Sequence, residues 1–248
     1  MKMEDIEQNW VNKMYEKLTT PKTIKICGYT ALILFFGLFI TAIIVALPPG
    51  PIDLEPYTIW NNWISDMGSY KYTPAPFLLD TMLIGTGILL VPFHLYLEKH
   101  LAPIPRDAGD FPIPHRWTYR LTELGFFLNC LGSFSMICVG IFSEDRSFGL
   151  HFPFSVLLFG SFAFGAIFLG LAFMITDPVI VPKPFNYILG VYGVHGLFII
   201  GGFAGYHLLW GTPLEKLMEW VIFFALMAWM LPISFFAMRH AEKLLNEK

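Results

Sequence analysis

Charge is scarce in this sequence. Only 14% of its 248 residues are Asp, Glu, Lys or Arg, whereas a soluble domain carries about a quarter. A chain this poor in charge has too little polar surface to face water on all sides. Cysteine is scarce too. Cys27, Cys130 and Cys138 all fall within apolar runs, so no disulfide framework and no CxxC metal motif is available. The net charge of −3 provides no basic footprint for nucleic acid. A phosphate-binding glycine loop, a G-x-S-x-G elbow, an HExxH pair and a Ser/His/Asp set with family spacing are all missing. There is no internal repeat, no low-complexity stretch, and no pair of matching halves of the kind transporters carry. The first apolar run begins at Thr23 and is about 25 residues long, too long for the core of a cleavable signal peptide.

Hydrocarbon is abundant: 55% of the residues are hydrophobic and 17% aromatic. Six apolar runs are long enough for the roughly 20 residues that a helix needs to cross a bilayer. They cover 23–47, 77–97, 121–142, 150–175, 186–210 and 216–238, with Pro48-Pro49-Gly50-Pro51 and Asp177-Pro178 as stops. The expected architecture is all-α: a polytopic membrane protein whose six-transmembrane-helix bundle occupies residues 23–238. A cytoplasmic segment (1–22) precedes it and a short cytoplasmic tail (239–248) follows. With the N-terminus inside, thirteen Lys and Arg fall on cytoplasmic segments. Only Lys71, Arg146 and Lys216 fall outside. That bias predicts N-in/C-in topology in the cell membrane. Met3, Ile6, Trp10, Met14 and Leu18 recur at helical spacing, so the leading segment reads as an amphipathic helix lying on the inner leaflet.

Ionisable side chains within spans are costly and point to function. Asp80, His207 and Glu219 each lie about one turn, or about 5 Å, below the outer interface. The outer loops add Ser65, Asp66, Asp145 and His151 at the same level. His151 and His207 with Asp80 could supply three zinc ligands and leave a fourth position open, as in a hydrolytic centre. The plainer reading places Asp80 and Glu219 at helix N-termini, where the dipole favours them, and His207 in an aromatic belt. His195 lies near mid-bilayer. It is expected to be neutral and hydrogen-bonded inside the bundle, since a bis-histidine haem would need a partner and His94 lies at another depth. Glu123 is expected to pair with Arg120 or Arg116, and Asn129, Ser133 and Ser135 to bond between helices. Ser161/Gly165, Ala166/Gly170 and Gly201/Gly205 read as packing pairs. In Ile64-Ser65-Asp66-Met67-Gly68, a turn would let Ser65 or Asp66 accept backbone N–H groups and Gly68 adopt positive φ. The loop would then cover the polar plane.

The stretch Asn62-Trp63-Ile64-Ser65-Asp66-Met67-Gly68 with Pro74-Ala75-Pro76-Phe77 resembles the YISDLG…P signature of the domain of unknown function 998 family, six-span proteins common in archaea. Gly140-Ile141-Phe142-Ser143-Glu144-Asp145 leading to Leu150-His151 resembles that family's GIFPxD…H segment, with Ser143 where Pro is common. The same loop and the Glu219-Trp220 pair also resemble the Frag/DRAM/Sfk membrane family, whose members are linked to lipid remodelling, phosphoinositide control and autophagy. The resemblance implies six spans with cytoplasmic termini and points to Ser65, Asp66, Gly68, Asp145, His151, Glu219 and Trp220. It implies no reaction. Three functions fit the sequence. The favoured one is a non-enzymatic protein with an outer polar pocket that binds or organises lipid or scaffolds a membrane partner, with no cofactor. The others are an outward-facing zinc-dependent lipid hydrolase or transferase, and a structural subunit of a membrane complex.

Overall fold

The computed structural model describes residues 3–47, 56–101, 113–176 and 180–247. The Pro48–Pro51 stop, Asp177-Pro178, Lys2, Arg106 and Lys248 lie outside the described residues, as do the side chains of Met3 and Ile6. The described residues are mostly helical, with no strand among them: α1 (Met3–Leu18), α2 (Pro21–Ala46), α3 (Phe77–Leu101), α4 (Ile113–Ile141), α5 (His151–Ile175), α6 (Phe185–Leu209) and α7 (Glu215–Asn246). Helices α2 to α7 are the six that are long and apolar enough to cross a membrane. This is an integral multi-pass membrane protein. Where water cannot pair with the backbone, a helix satisfies every interior N–H and C=O within its own segment. α2 starts where Pro21, which has no N–H to lose, follows Thr20, whose hydroxyl accepts from Thr23 N at 3.1 Å. α7 runs past the expected end of the last span, through 239–246.

The spans form a ring in chain order. Each of α2 to α5 packs on the next, α5 packs on α6, α6 on α7, and α7 returns to α2. An even number of crossings places both ends of the chain on one side, here called the proximal end. Lys25 at the start of α2 meets Glu242 at the end of α7 there at 2.8 Å. α1 docks on the same end. Tyr15 donates a hydrogen bond to Glu98, and Lys99 meets Glu16 at 2.8 Å. Trp10, Val11 and Met14 of α1 are uncovered by protein, as an amphipathic surface helix requires.

One side of the ring is tight and the other bulky. α4 carries a small and polar stripe, Thr118, Thr122, Gly125, Asn129, Ser133, Met136 and Gly140, at three- and four-residue steps. Cβ atoms added at Gly125, Gly132 and Gly140 would strike Leu169, Phe162 and the Asp80 carbonyl. These glycines therefore let α3 and α5 close on α4. α2 and α7 meet instead through aromatic rings, with Phe39 and Phe223 at 5.1 Å and Phe39 and Trp220 at 6.1 Å.

α6 departs from regular helix at Tyr192–Gly196, one turn of π-helix. An extra residue per turn turns Gly193 against its neighbours. A Cβ there would lie 2.7 Å from both the Ala166 carbonyl and Trp229 Nε1. The inserted residue also rotates His195 outward. It is exposed and has no partner among the described residues, contrary to the interior position expected for it. A haem between His195 and buried His94 has no geometric basis here. Of the small-residue pairs, Gly165 and Gly170 pack tightly on Asn129 and Gly190. Gly205 meets nothing within 4 Å, and Gly201 meets only Ile222 at 3.8 Å.

Two predictions follow from α6. Gly193→Ala should cost about 1–3 kcal/mol through overpacking, while Gly205→Ala should be neutral; thermal unfolding in detergent would contradict this if both variants lost equally. His195 sits at mid-depth, about 15 Å from the start of α6, so His195→Leu should raise the unfolding temperature in bilayer nanodiscs. A fall would mean that the imidazole has work to do there.

Candidate functional site

At the end opposite the termini, the distal end, residues 57–69 fold inward as a lid. Tyr57 and Met67 are fully buried, and Ile64 and Asp66 nearly so. A turn of 3-10 helix at Ser65–Gly68 shapes it. Asp66 Oδ2 accepts from Trp63 N at 3.0 Å and from Asn62 Nδ2 at 2.9 Å, which fixes the turn. Gly68 has no positive φ; its small size is what counts, since a Cβ would lie 3.3 Å from Asp80 Oδ1. The lid is pinned by consecutive residues of α7. Glu219 Oε2 accepts Ile64 N–H at 2.6 Å, and Trp220 Nε1 donates to the Asn62 carbonyl at 3.1 Å. Tyr57 OH adds a bond to the Trp63 carbonyl at 3.1 Å.

The loop between α4 and α5 supplies the rest. Asp145 accepts from Ser69 Oγ at 2.8 Å and from Tyr70 N at 2.6 Å. Arg146 pairs with Asp80 at 2.7 Å and also donates to Ser143 Oγ. Asp66, Glu144 and Glu219 lie within electrostatic range of one another. Glu144 is exposed as a residue, but its carboxyl turns toward Asp66. Burial of that group, then the charge and hydrogen bond of Asp66, then Asp145, push it from 4.5 up to about 7, with Lys71 opposing. His151 Nδ1 lies 2.8 Å from the Phe142 carbonyl, which makes that nitrogen the N–H donor. Its Nε2 is a buried acceptor without a partner.

Of the residues singled out from sequence, Ser65, Asp66, Asp80, Asp145, His151 and Glu219 thus gather at one end. His207 does not join them. Its Nδ1 takes Thr212 Oγ1 at 2.6 Å and its ring packs on Phe203 and Tyr206. Depth placed His207 level with the others, but rotation about α6 turned it away. Among the described residues no three His, Cys, Asp or Glu side chains are grouped to hold an ion. Trp220, to which the resemblance pointed, joins the gathered residues; Asn62, Glu144 and Arg146 were not singled out as site residues. The lone Arg beside two acids in a short loop is the signal that could have raised Glu144 and Arg146.

Polar groups elsewhere serve the fold. His94 Nε2 meets Ser133 Oγ at 2.9 Å across α3 and α4. Asn129 and Ser135 instead bond carbonyls four residues back on their own helix, which satisfies a buried donor without a neighbour. Glu123 lies within hydrogen-bonding range of Glu98, and Arg120 lies over Trp117. Tyr15, which also meets Glu98, has its phenol held well above the usual range by burial and by that carboxylate.

Below the lid the ring encloses a cavity of about 130 Å³. Its walls come from α2, α3, α4, α5 and α7 and are apolar almost throughout. Ile64, Ser65, Leu79 and Glu219 close its distal end, and Gly28, Phe93 and Ser234 lie at the other. Glu219 and Ser234 are fifteen residues apart on one helix, about 22 Å at 1.5 Å per residue. The space is therefore long and narrow, and four flexible methionines, Met82, Met136, Met227 and Met230, are among its lining side chains. Scanned against protein-family models, curated proteins and solved structures, the chain matches none. The chemistry of the site therefore rests on its own geometry.

The raised Glu144 sets a pH dependence. A carboxyl that binds its proton more tightly when folded makes the folded state take up protons, so stability falls as pH rises from about 4.5 to about 7 and then levels off. Glu144→Gln should flatten that slope and raise the unfolding temperature above neutral pH. An unchanged slope in thermal scans across this range would contradict the assignment.

Proposed function

We propose that this protein binds lipid by holding one hydrocarbon chain within its helical ring, beneath a polar lid. The supporting observation is the slot itself, lined along its length by five helices, with Ile64 and Ser65 at its distal end. Left empty, 130 Å³ costs about 3 kcal/mol at roughly 24 cal/mol per Å³. Apolar cavities of about this size stay dry and take up apolar guests. In a bilayer the guest at hand is a lipid chain, which spans one leaflet, about 15 Å of the 30 Å core. The slot's lining runs over about 22 Å, which matches such a chain in length, and seating the chain widens the 130 Å³ slot as the flexible Met82, Met136, Met227 and Met230 repack. The distribution of Lys and Arg turns the lid to the outer face. The resemblance to a family linked to lipid remodelling agrees with this reading.

The test is the lipid content of protein purified in mild detergent, by mass spectrometry of the intact complex. About one chain per protein is expected. Ala31→Phe, which fills the slot from α2, should abolish retention while leaving the protein folded and at least as heat-stable. Protein with no retained chain, and no saturable uptake of a fluorescent long-chain probe, would overturn the proposal.

A further inference from the structure

The slot is apolar along most of its walls, the unpartnered Thr86 hydroxyl being an exception, and it has a polar end. Glu219 is only 7% exposed and is the one carboxyl among the lining residues. One oxygen is committed: Oε2 accepts Ile64 N–H. The other, Oε1, receives no hydrogen bond from any described residue. Ser65 lines the same end of the slot, and its hydroxyl makes no bond to a described residue either. An oxygen of a buried carboxyl left without a donor is costly, and beside it at the end of the slot stands the half-buried Ser65 hydroxyl, which no described residue engages.

We propose that the occupant is a single-chain lipid with an uncharged, hydroxyl-bearing head, its hydroxyl held between Glu219 Oε1 and Ser65 Oγ. The inference rests on the reading of the slot given above. A hydroxyl has one donor and two acceptor positions. It can donate to Glu219 while accepting from Ser65, and it can exchange those roles if Glu219 carries a proton. An anionic head meets the wrong field. Asp66, Glu144 and Asp145 surround the lid, and Arg146 is already engaged by Asp80 and Ser143. An ammonium head could donate to both Glu219 and Ser65, but it would carry a full charge to the end of an apolar slot, where charge is expensive.

Three probes with one chain length separate the alternatives: hexadecanol, hexadecanoic acid and hexadecylamine. Each is titrated at neutral pH against the full-length protein in detergent, by displacement of a bound fluorescent chain. The alcohol should bind about tenfold more tightly than the acid or the amine, the difference one charge-assisted hydrogen bond makes. Ser65→Ala, which removes no bond of the fold, should weaken the alcohol several-fold and leave the acid unchanged. Glu219→Gln keeps an acceptor for Ile64 N–H and puts an NH2 donor where Oε1 stood, so the ligand hydroxyl accepts there and donates to Ser65 Oγ and alcohol binding should be retained, while Glu219→Leu should lose it about tenfold. If the acid or the amine binds as tightly as the alcohol, or if Ser65→Ala is without effect, the head-group inference fails and the slot stands. If none of the three displaces the probe and the probe itself does not saturate, the slot reading fails with it.

Discussion

The hydrogen bond from Ile64 N–H to Glu219 Oε2, at 2.6 Å, joins the first long loop to the last helix, and the arrangement of the distal end depends on it. A carboxyl group at this depth would be unstable without a donor, and a loop N–H pushed into the bundle would be unstable without an acceptor. Paired, each removes the other's desolvation cost, with a net contribution of about 1.5–3 kcal/mol for a bond to a charged group. The neighbouring Trp220–Asn62 bond keeps the loop from rotating about that point. The consequences run outward in sequence. Ile64 and Met67 are driven into the bundle, Asp66 is brought beside Glu144, and Gly68 is pressed against Asp80.

A cavity survives beneath because the ring is built unevenly. Glycine and small polar residues draw α3, α4 and α5 together, while Phe35, Phe39, Trp220 and Phe223 set the spacing of α2 and α7. Close packing on one side and ring-width packing on the other leave a volume that Met82, Met136, Leu158 and Leu226 border without filling. Apolar walls and a polar end together suit an amphiphile better than water or an ion.

The six spans were legible from hydropathy alone, as were the depths of Asp80, Glu219 and His151, because a helix advances a fixed distance per residue. Rotation was not legible. In α2, Ile24, Ala31, Phe35, Phe39 and Ala42 face inward while Ile26, Ile33, Ile40 and Ile44 face outward, and all are apolar. A lipid-facing stripe and a core-facing stripe look alike in sequence, and only side-chain size separates them weakly. That is why His195 was placed inward although it turns to the bundle exterior, and why depth alone left His207 between the polar plane and the aromatic belt, where its contacts with Phe203 and Tyr206 put it. A π-turn compounds the problem, shifting register by one residue with no sequence mark beyond Gly193 and Gly196. Turn chemistry fared better at Asp66, whose side chain finds N–H groups nearby in the chain. The bonds of Glu219 and Trp220 to the lid join residues more than 150 positions apart, and no local pattern encodes them.

Lipid held inside the ring is the central claim, and a density map of the protein purified in mild detergent tests it most directly. The account predicts a continuous rod of density inside the ring, starting between Ser65 and Glu219 and running past Phe35 and Phe162 toward Ser234. A map in which α2 and α7 have closed on α3 and α5, with the side chains of Met82, Leu226 and Met230 filling the space, would contradict it.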